Sequence, residues 1–155
     1  MKISTKGKYG LRAMVDLALF AHENYISLRS IAQRQNISEN YLEQLISSLK
    51  KASLVNSIRG SQGGYKLSRN PEDISVGQIL RALEGSLAPV GCVVEEDPRE
   101  CEKSDFCVTR VIWEKMRDSI NNVVDSISLS DLTDDYIEKS KMTGSMTKKG
   151  DYCSG

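Results

Sequence analysis

Three short segments with helical apolar spacing, followed by a glycine-rich hairpin, constrain the first half of the chain. Apolar residues recur at helical spacing from Leu11 to Ala21, and Ser27 and Ser38 are placed to cap two further helices. The run "LVNSIRGSQGGYKLSR" then predicts two short strands around a long tip. Helix, turn, helix and hairpin in this order predict a winged helix–turn–helix domain, and therefore a mostly α fold with a small β-hairpin wing.

The strongest helical periodicity comes much later in the chain. Ser75 and Gln78 first predict a capping box for a fourth helix that ends at Gly85. Apolar residues then recur at threes and fours over about five turns. They are Val108, Val111, Ile112, Met116, Ile120, Val123, Val124 and Ile127. One face this apolar in a small chain predicts a long dimerisation helix.

These patterns divide the sequence into four segments. We expect a winged helix–turn–helix DNA-binding domain over residues 1–86 and a cysteine-bearing loop over 87–107. The dimerisation helix and a short C-terminal helix then occupy 108–139. Residues 140–155 are polar and lack periodicity, so a disordered tail is expected there.

Charge is distributed unevenly along the chain. Residues 1–69 carry eleven Lys or Arg and four acidic residues, whereas residues 70–155 carry ten bases and seventeen acids. A basic half favours a polyanionic partner, although a chance division of solvated charges gives the same count. No segment is apolar enough to span a membrane, and Arg12 and Asp16 interrupt the N-terminal apolar run, so we expect a cytoplasmic protein without a signal peptide.

The third predicted helix carries a polar face opposite its apolar stripe. That face holds Asn40, Glu43, Gln44, Ser47 and Lys51. Asn and Gln can bond adenine edges, Glu can accept from a cytosine amine, Ser can bond several bases, and Lys neutralises phosphate. A solvated helix face that binds nothing has the same pattern, so the face alone leaves both interpretations open.

The predicted hairpin tip favours nucleic acid. Arg59 stands next to Gly60, where glycine permits close approach of the backbone, and a long cation at such a tip suits the negative potential of a minor groove. A nucleotide-binding phosphate loop is the competing interpretation. That loop needs a following Gly-Lys-Ser/Thr and a helix, whereas Tyr65-Lys66-Leu67 predicts a strand, so it is rejected.

Three cysteines lie in the acidic stretch "CVVEEDPRECEKSDFC", at Cys92, Cys101 and Cys107. The reducing cytosol disfavours a disulfide. Zinc sites use tight pairs of ligands, which are missing here, whereas iron–sulfur clusters tolerate varied spacing between thiolates. Spacing alone also fits three reduced thiols that hold no metal. A thiol redox enzyme or electron carrier would need a C-x-x-C pair or an activated thiol, so we expect no enzyme.

The segments "MKISTKGKYGLRAM", "SLRSIAQRQNISENYLEQLISSLKKASLV" and "SIRGSQGGYKLSR" resemble the IscR-type bacterial repressors, over roughly residues 1–135. That superfamily also contains NsrR and CymR. The resemblance implies a homodimeric repressor that places two winged helices on a palindromic operator in double-stranded DNA. It implies that the recognition helix meets bases through Ser38, Tyr41, Glu43 and Gln44. It also places Arg59 in the minor groove.

The same resemblance implies that Cys92, Cys101 and Cys107 hold an iron–sulfur cluster of the [2Fe–2S] type, and that the target genes serve cluster assembly or sulfur metabolism. The chain departs from the family in three ways. The first gap has eight residues where IscR has five, Arg110 stands where IscR has a ligand His, and Lys8 stands where NsrR has an acid. The fourth ligand therefore stays open.

A non-cysteine fourth ligand is the preferred interpretation. Candidate carboxylates in the loop are Glu95, Glu96, Asp97, Glu100, Glu102 and Asp105. Cys153 and a small external molecule are the alternatives. The CymR branch supplies a different function, a cluster-free repressor of cysteine metabolism controlled by a protein partner. CymR-like members lack such a cysteine set, which argues against pure CymR behaviour.

Overall fold

A computed structural model describes residues 2–21, 24–96 and 101–143. Its helices and strands, in chain order, are α1 (Thr5–Phe20), α2 (Leu28–Gln35), α3 (Glu39–Lys51), β1 (Val55–Ile58), β2 (Gly64–Leu67), α4 (Val76–Glu84), α5 (Arg110–Ser126) and α6 (Leu129–Thr143). Single 3-10 turns lie at Pro71–Asp73, Gly91–Val93 and Ser104–Phe106. The predicted fold class, mostly α with one antiparallel hairpin, is confirmed.

Local capping defines the helix–turn–helix. Ser27 and Ser38 both act as the predicted N-caps, and each side chain accepts a hydrogen bond from the backbone N–H three residues later. Between the two helices Asn36 adopts a left-handed conformation with φ of 52°, which ends α2 and turns the chain into α3.

A buried ion pair fixes α1 to α2. Asp16 is buried in α1, and its two carboxylate oxygens accept from Arg34 Nε at 2.9 Å and Arg34 Nη2 at 2.6 Å. Gln35 Nε2 donates to the same carboxylate at 3.0 Å. The pair lies beside the main apolar core, which includes Met14, Leu17, Ile31, Leu42, Ile46, Leu49, Leu54 and Ile79. A buried carboxylate held by three donors gives α2 a defined orientation on α1.

The wing is connected to the segment that precedes α2. The strands pair from Val55 with Leu67 to Ile58 with Gly64. Tyr65 and Ile26 exchange two backbone hydrogen bonds, of 2.8 and 2.9 Å. A Cβ atom on Gly64, whose φ is 156°, would overlap the Ile26 backbone, so glycine is required for this contact. The wing is therefore held at a fixed place beside the helix–turn–helix.

The helix α4 joins the N-terminal core to α5. Its predicted capping box between Ser75 and Gln78 is present, and it ends at Gly85 with φ of 79°, as expected. Arg81 makes two hydrogen bonds to Asp125 on α5, of 2.7 and 2.8 Å. A Cβ on Gly77 would overlap the Asp125 carboxylate, so this glycine allows α4 and α5 to approach closely.

The apolar stripe of α5 divides into two faces. Ile120, Val124 and the adjoining Ile127 pack on a cluster formed by Val76, Leu80 and Leu87 within the same chain. The remaining apolar residues are exposed. They are Val111, Ile112, Met116 and Val123, together with Val108 before the helix. The sequence predicted that the whole stripe forms one dimerisation face. That prediction was too broad, because part of the stripe covers α4 within the same chain.

The C-terminal helix α6 returns to the N-terminal core. Leu129 is fully buried in the cluster that contains Leu17 and Ile74, and its backbone N–H donates to Ile74 O at 2.8 Å. The helix continues to Thr143 and therefore includes the first four residues of the predicted tail. The rest of that tail, including Cys153, lies outside the described residues. Within the ranges that the structure describes, no helix is both long and apolar enough to cross a bilayer.

Candidate functional site

The polar face of α3 is presented to solvent. Its opposite face buries Leu42, Leu45, Ile46 and Leu49 in the core. The exposed side chains include all five that the sequence placed on this face, namely Asn40, Glu43, Gln44, Ser47 and Lys51. The helix therefore offers amide, carboxylate, hydroxyl and ammonium groups along one accessible surface.

Two residues at the start of α3 have structural partners. The exposed Ser38 accepts from the Tyr41 backbone N–H at 3.2 Å. Tyr41 is half-buried, and its ring meets that of Tyr9 edge-on, with centroids 6.1 Å apart. Its hydroxyl is buried and has no hydrogen-bond partner among the described residues. The structure thus leaves Ser38 at the surface and places most of Tyr41 against α1.

A groove of about 520 Å³ lies between α3 and the wing. Glu43, Ser47 and Lys50 line it from α3, and Arg59 and Gly60 line it from the wing. The sequence interpretation missed Lys50. Lys50 lies three residues after Ser47 and seven after Glu43, so helical spacing places it on the same side of α3 as these two residues.

The wing tip itself is an open turn. Arg59 and Gly60 are both exposed, and Gly60 has φ of 116° with open space around it. The Gly63 N–H donates to Gly60 O at 3.0 Å and closes the tip. Arg59 therefore projects from a tight, glycine-containing turn beside the groove, as the sequence predicted.

The cysteine loop connects α4 to α5. Cys92 is half-buried in the 3-10 turn Gly91–Val93, Cys107 is half-buried three residues before α5, and Cys101 is exposed. None of the three forms a disulfide. Arg110, the first residue of α5, donates to Glu114 Oε1 at 2.9 Å. Its pKa is raised chiefly by the hydrogen bond with Glu114, and the charges of Cys92 and Cys107 add smaller contributions.

The surroundings of Cys107 favour its thiolate. Its sulfur lies 3.3 Å from the Thr109 hydroxyl, and this hydrogen bond lowers the pKa of the thiol. Backbone N–H groups of Thr109 and Arg110 and the charge of Arg110 act in the same direction. A thiolate is the form of cysteine that binds metals and reacts with oxidants.

The described residues do not yet form a ligand cage. No three Cys, His, Asp or Glu side chains among them lie close enough together to hold one metal ion. Four of the candidate fourth ligands, Glu95, Glu96, Glu102 and Asp105, are exposed. Asp97 and Glu100 lie outside the described residues. Cys92, Cys101 and Cys107 thus share one loop without forming a metal-ligand group in the part of the chain that the structure describes.

Comparison with known proteins identifies the type of molecule. Residues 3–135 match the family Rrf2, described as iron-dependent transcriptional regulators. The chain is 48% identical to the transcriptional regulator CymR of Bacillus subtilis over 132 residues, which cover 85% of this chain and 89% of CymR. It is 41% identical to IscR of Aliivibrio salmonicida over 132 residues, which cover 85% of this chain and 77% of IscR.

Solved structures agree with this placement. The structure of CymR, the global cysteine regulator of B. subtilis, superposes with a TM-score of 0.70 at 47% identity, covering 86% of this chain and 97% of CymR. IscR of T. potens gives a TM-score of 0.72 at 47% identity, covering 97% of this chain and 94% of IscR. CymR and IscR are named as regulators of transcription, and the prediction that this chain is no enzyme is confirmed.

Proposed function

Because this chain belongs to the Rrf2 family of transcriptional regulators, we propose that it is a DNA-binding repressor whose operator affinity depends on an iron–sulfur cluster at its cysteine loop. Cys92, Cys101 and Cys107 would hold the cluster. The observation that carries the proposal is the presence of three free cysteines in the one loop that joins α4 to α5, with Cys107 three residues before α5.

The groove between α3 and the wing is the proposed DNA interface. In this proposal Asn40, Gln44 and Ser47 bond base edges, and Glu43 accepts from a cytosine amine. Two such interfaces in a homodimer would match the two halves of a palindromic operator. Ser38, Tyr41, Lys51 and Gly60 complete the proposed contact set. Arg59 enters the neighbouring minor groove, whose negative potential attracts a guanidinium.

The donor chemistry of the loop fits a cluster. Thiolates are the ordinary ligands of iron–sulfur centres, and when bound such a centre supplies reversible one-electron chemistry. The Thr109 hydroxyl and nearby backbone N–H groups already favour the thiolate of Cys107. A rearrangement of the loop would bring the three thiols together. A fourth ligand that is not cysteine would be a harder and weaker ligand for iron than a thiolate. The cluster should therefore be lost easily.

In this proposal the loop couples the cluster site to DNA binding. At its N-terminal end it follows α4, which packs on α1 in the winged-helix core. At the other end it leads into α5, which carries the exposed apolar face proposed for the dimer contact. A change in loop order can therefore alter how the two winged helices of a dimer are spaced, which is a coupling between two sites.

Anaerobic reconstitution tests the cluster proposal. The full chain, the variants Cys92→Ala, Cys101→Ala and Cys107→Ala, and a chain ending at Thr143 are incubated with ferrous iron and sulfide. The full and shortened chains should gain visible absorption, and each cysteine variant should lose it. Loss on truncation would make Cys153 a ligand, and a full chain that never takes up iron and sulfide would refute the proposal.

A cluster-free regulator of cysteine metabolism, controlled by a protein partner, is the second candidate. It is favoured by 48% identity to CymR and by the lack of an assembled metal-ligand group among the described residues. In this case DNA affinity would be the same with and without reconstitution, and the three cysteine variants would bind DNA like the parent. Fluorescence anisotropy on one DNA site distinguishes the two candidates.

A further inference from the structure

A cavity of about 230 Å³ lies where α4, the cysteine loop and α5 meet. Leu87, Ala88 and Val94 give it an apolar wall. Its polar lining comes from Arg81, Arg117, Glu95, Glu96 and Asn121. It contains none of the three cysteines and no residue of the proposed DNA interface. A concave site with an apolar wall and a few convergent charges is the usual form of a small-molecule site.

The two arginines are held in place by the protein. Arg81 is fixed by Asp125 and also donates to Asn121 Oδ1 at 2.8 Å. Arg117 pairs with Asp118 at 2.7 Å and donates to the Val93 backbone carbonyl at 3.1 Å. Each guanidinium is therefore fixed before a ligand arrives, which reduces the entropic cost of binding.

Glu95 lies near both arginines without being locked to either. Its carboxylate is 3.8 Å from Arg117 Nε, and its side chain is 62% exposed. The raised pKa of Arg81 has a contribution from the same carboxylate. With Asp118 and Asp125 included, four carboxylates surround two guanidiniums. A dianion would be repelled here, whereas a ligand with one cationic and one anionic group matches both charges.

We propose that this cavity binds a free α-amino acid, with its carboxylate at Arg81 and Arg117 and its ammonium at Glu95 and Glu96. The volume suits a short side chain, which would lie against Leu87 and Val94. An occupied site would bridge the loop to both flanking helices. The ligand would then stabilise one position of the loop and act as an effector of the regulator.

Binding is tested on the full chain by calorimetric titration with the standard set of α-amino acids. At least one should bind, and its methyl ester and its deaminated acid should each bind at least about tenfold more weakly, since each loses one charge. Equal binding of either analogue, or tighter binding of a dicarboxylate, would overturn the zwitterion assignment. The absence of any heat, with no rise in melting temperature at millimolar amino acid, would overturn the site.

Matched variants locate the ligand. Glu95→Gln and Arg117→Gln should each weaken binding by at least about tenfold. Glu72→Gln, on a distant exposed turn, and Lys115→Gln, on α5 outside the cavity, should leave it unchanged. Among the described residues the one ion pair of Glu95 is its 3.8 Å approach to Arg117. Its variant should therefore keep the fold and remain informative if Arg117→Gln is unstable. Full binding by Glu95→Gln would refute the proposal.

Discussion

At the residue scale, the proposed interface depends on Arg59 and Glu43, which face one groove with opposite charges. An arginine near phosphates gains affinity on any DNA. A glutamate in the same groove is repelled unless it meets a donor such as a cytosine amine. The two residues should therefore affect different properties of the complex.

Removing each side chain separates these properties. Arg59→Ala should weaken binding by about 1–3 kcal/mol on the DNA site that the wild-type chain selects from a random library. Glu43→Ala should instead relax sequence preference while retaining overall affinity. Anisotropy titrations at fixed salt measure both effects, with Lys115→Ala as a control on α5. Unchanged affinity in the Arg59 variant, or a uniform loss in the Glu43 variant, would contradict the assignment.

The helical spacing of the apolar residues was enough to place Asn40, Gln44 and Ser47 on the exposed face of α3. A buried apolar stripe determines which side chains lie opposite it. Period alone did not single out Lys50, because its place in the groove depends on where the wing lies. The wing is positioned by the contact between Ile26 and Tyr65, which are far apart in sequence. Arg117 was missed for the same reason, since its cavity is formed by three separate segments.

At the element scale, the packing contact between α4 and α5 depends on Arg81, Asp125 and the space left by Gly77. The capping box of α4 was visible in the sequence because it uses residues three apart. The contact between α4 and α5 was not visible in the sequence, because the whole cysteine loop separates Arg81 from Asp125. The same long-range packing divided the α5 stripe, since periodicity cannot distinguish an apolar face that covers α4 from one left exposed.

The ion pair between Arg81 and Asp125 should make the folding stability depend on pH. The hydrogen bonds from Arg81 lower the pKa of Asp125, so their stabilising effect is complete above the ordinary aspartate pKa of about 3.9 and is lost as pH falls through the folded-state value. Asp125→Asn should cost up to about 1 kcal/mol at pH 7, because both side chains are partly exposed. This difference should shrink in acid.

Urea unfolding across a pH series measures that difference. Asp134→Asn, at an exposed position on α6, is the matched control and should change stability little at any pH. A stability gap for Asp125→Asn that stays constant, or widens, as the pH is lowered would show that the ion pair does not contribute as described.

At the scale of the whole molecule, the two faces of α5 have different roles. Val123 is 58% exposed on the outer face, whereas Ile120 packs against the α4 cluster. Val123→Asp should therefore give a folded monomer, because the new charge disrupts only the proposed contact between subunits. Ile120→Asp should destabilise the subunit itself. Together the variants test whether the outer face forms the dimer.

Sedimentation for mass and circular dichroism for fold measure these outcomes. Asn122→Asp, exposed on α5 about a quarter turn away from the stripe of Met116 and Val123, controls for the added charge. A Val123→Asp protein that sediments as a dimer would place the subunit contact elsewhere, and a cooperatively folded Ile120→Asp monomer would contradict the described packing.

The return of α6 to the N-terminal core has a consequence for how the protein is made. Leu129 fills a core whose other members lie between residues 13 and 79, and it reaches that core only after the cysteine loop and α5 have been synthesised. While the chain is still on the ribosome, α1 and the turn Pro71–Asp73 therefore emerge before α6, which packs on both, has been made. We therefore expect the core formed by residues 13–79 to complete its packing only after α6 has been synthesised.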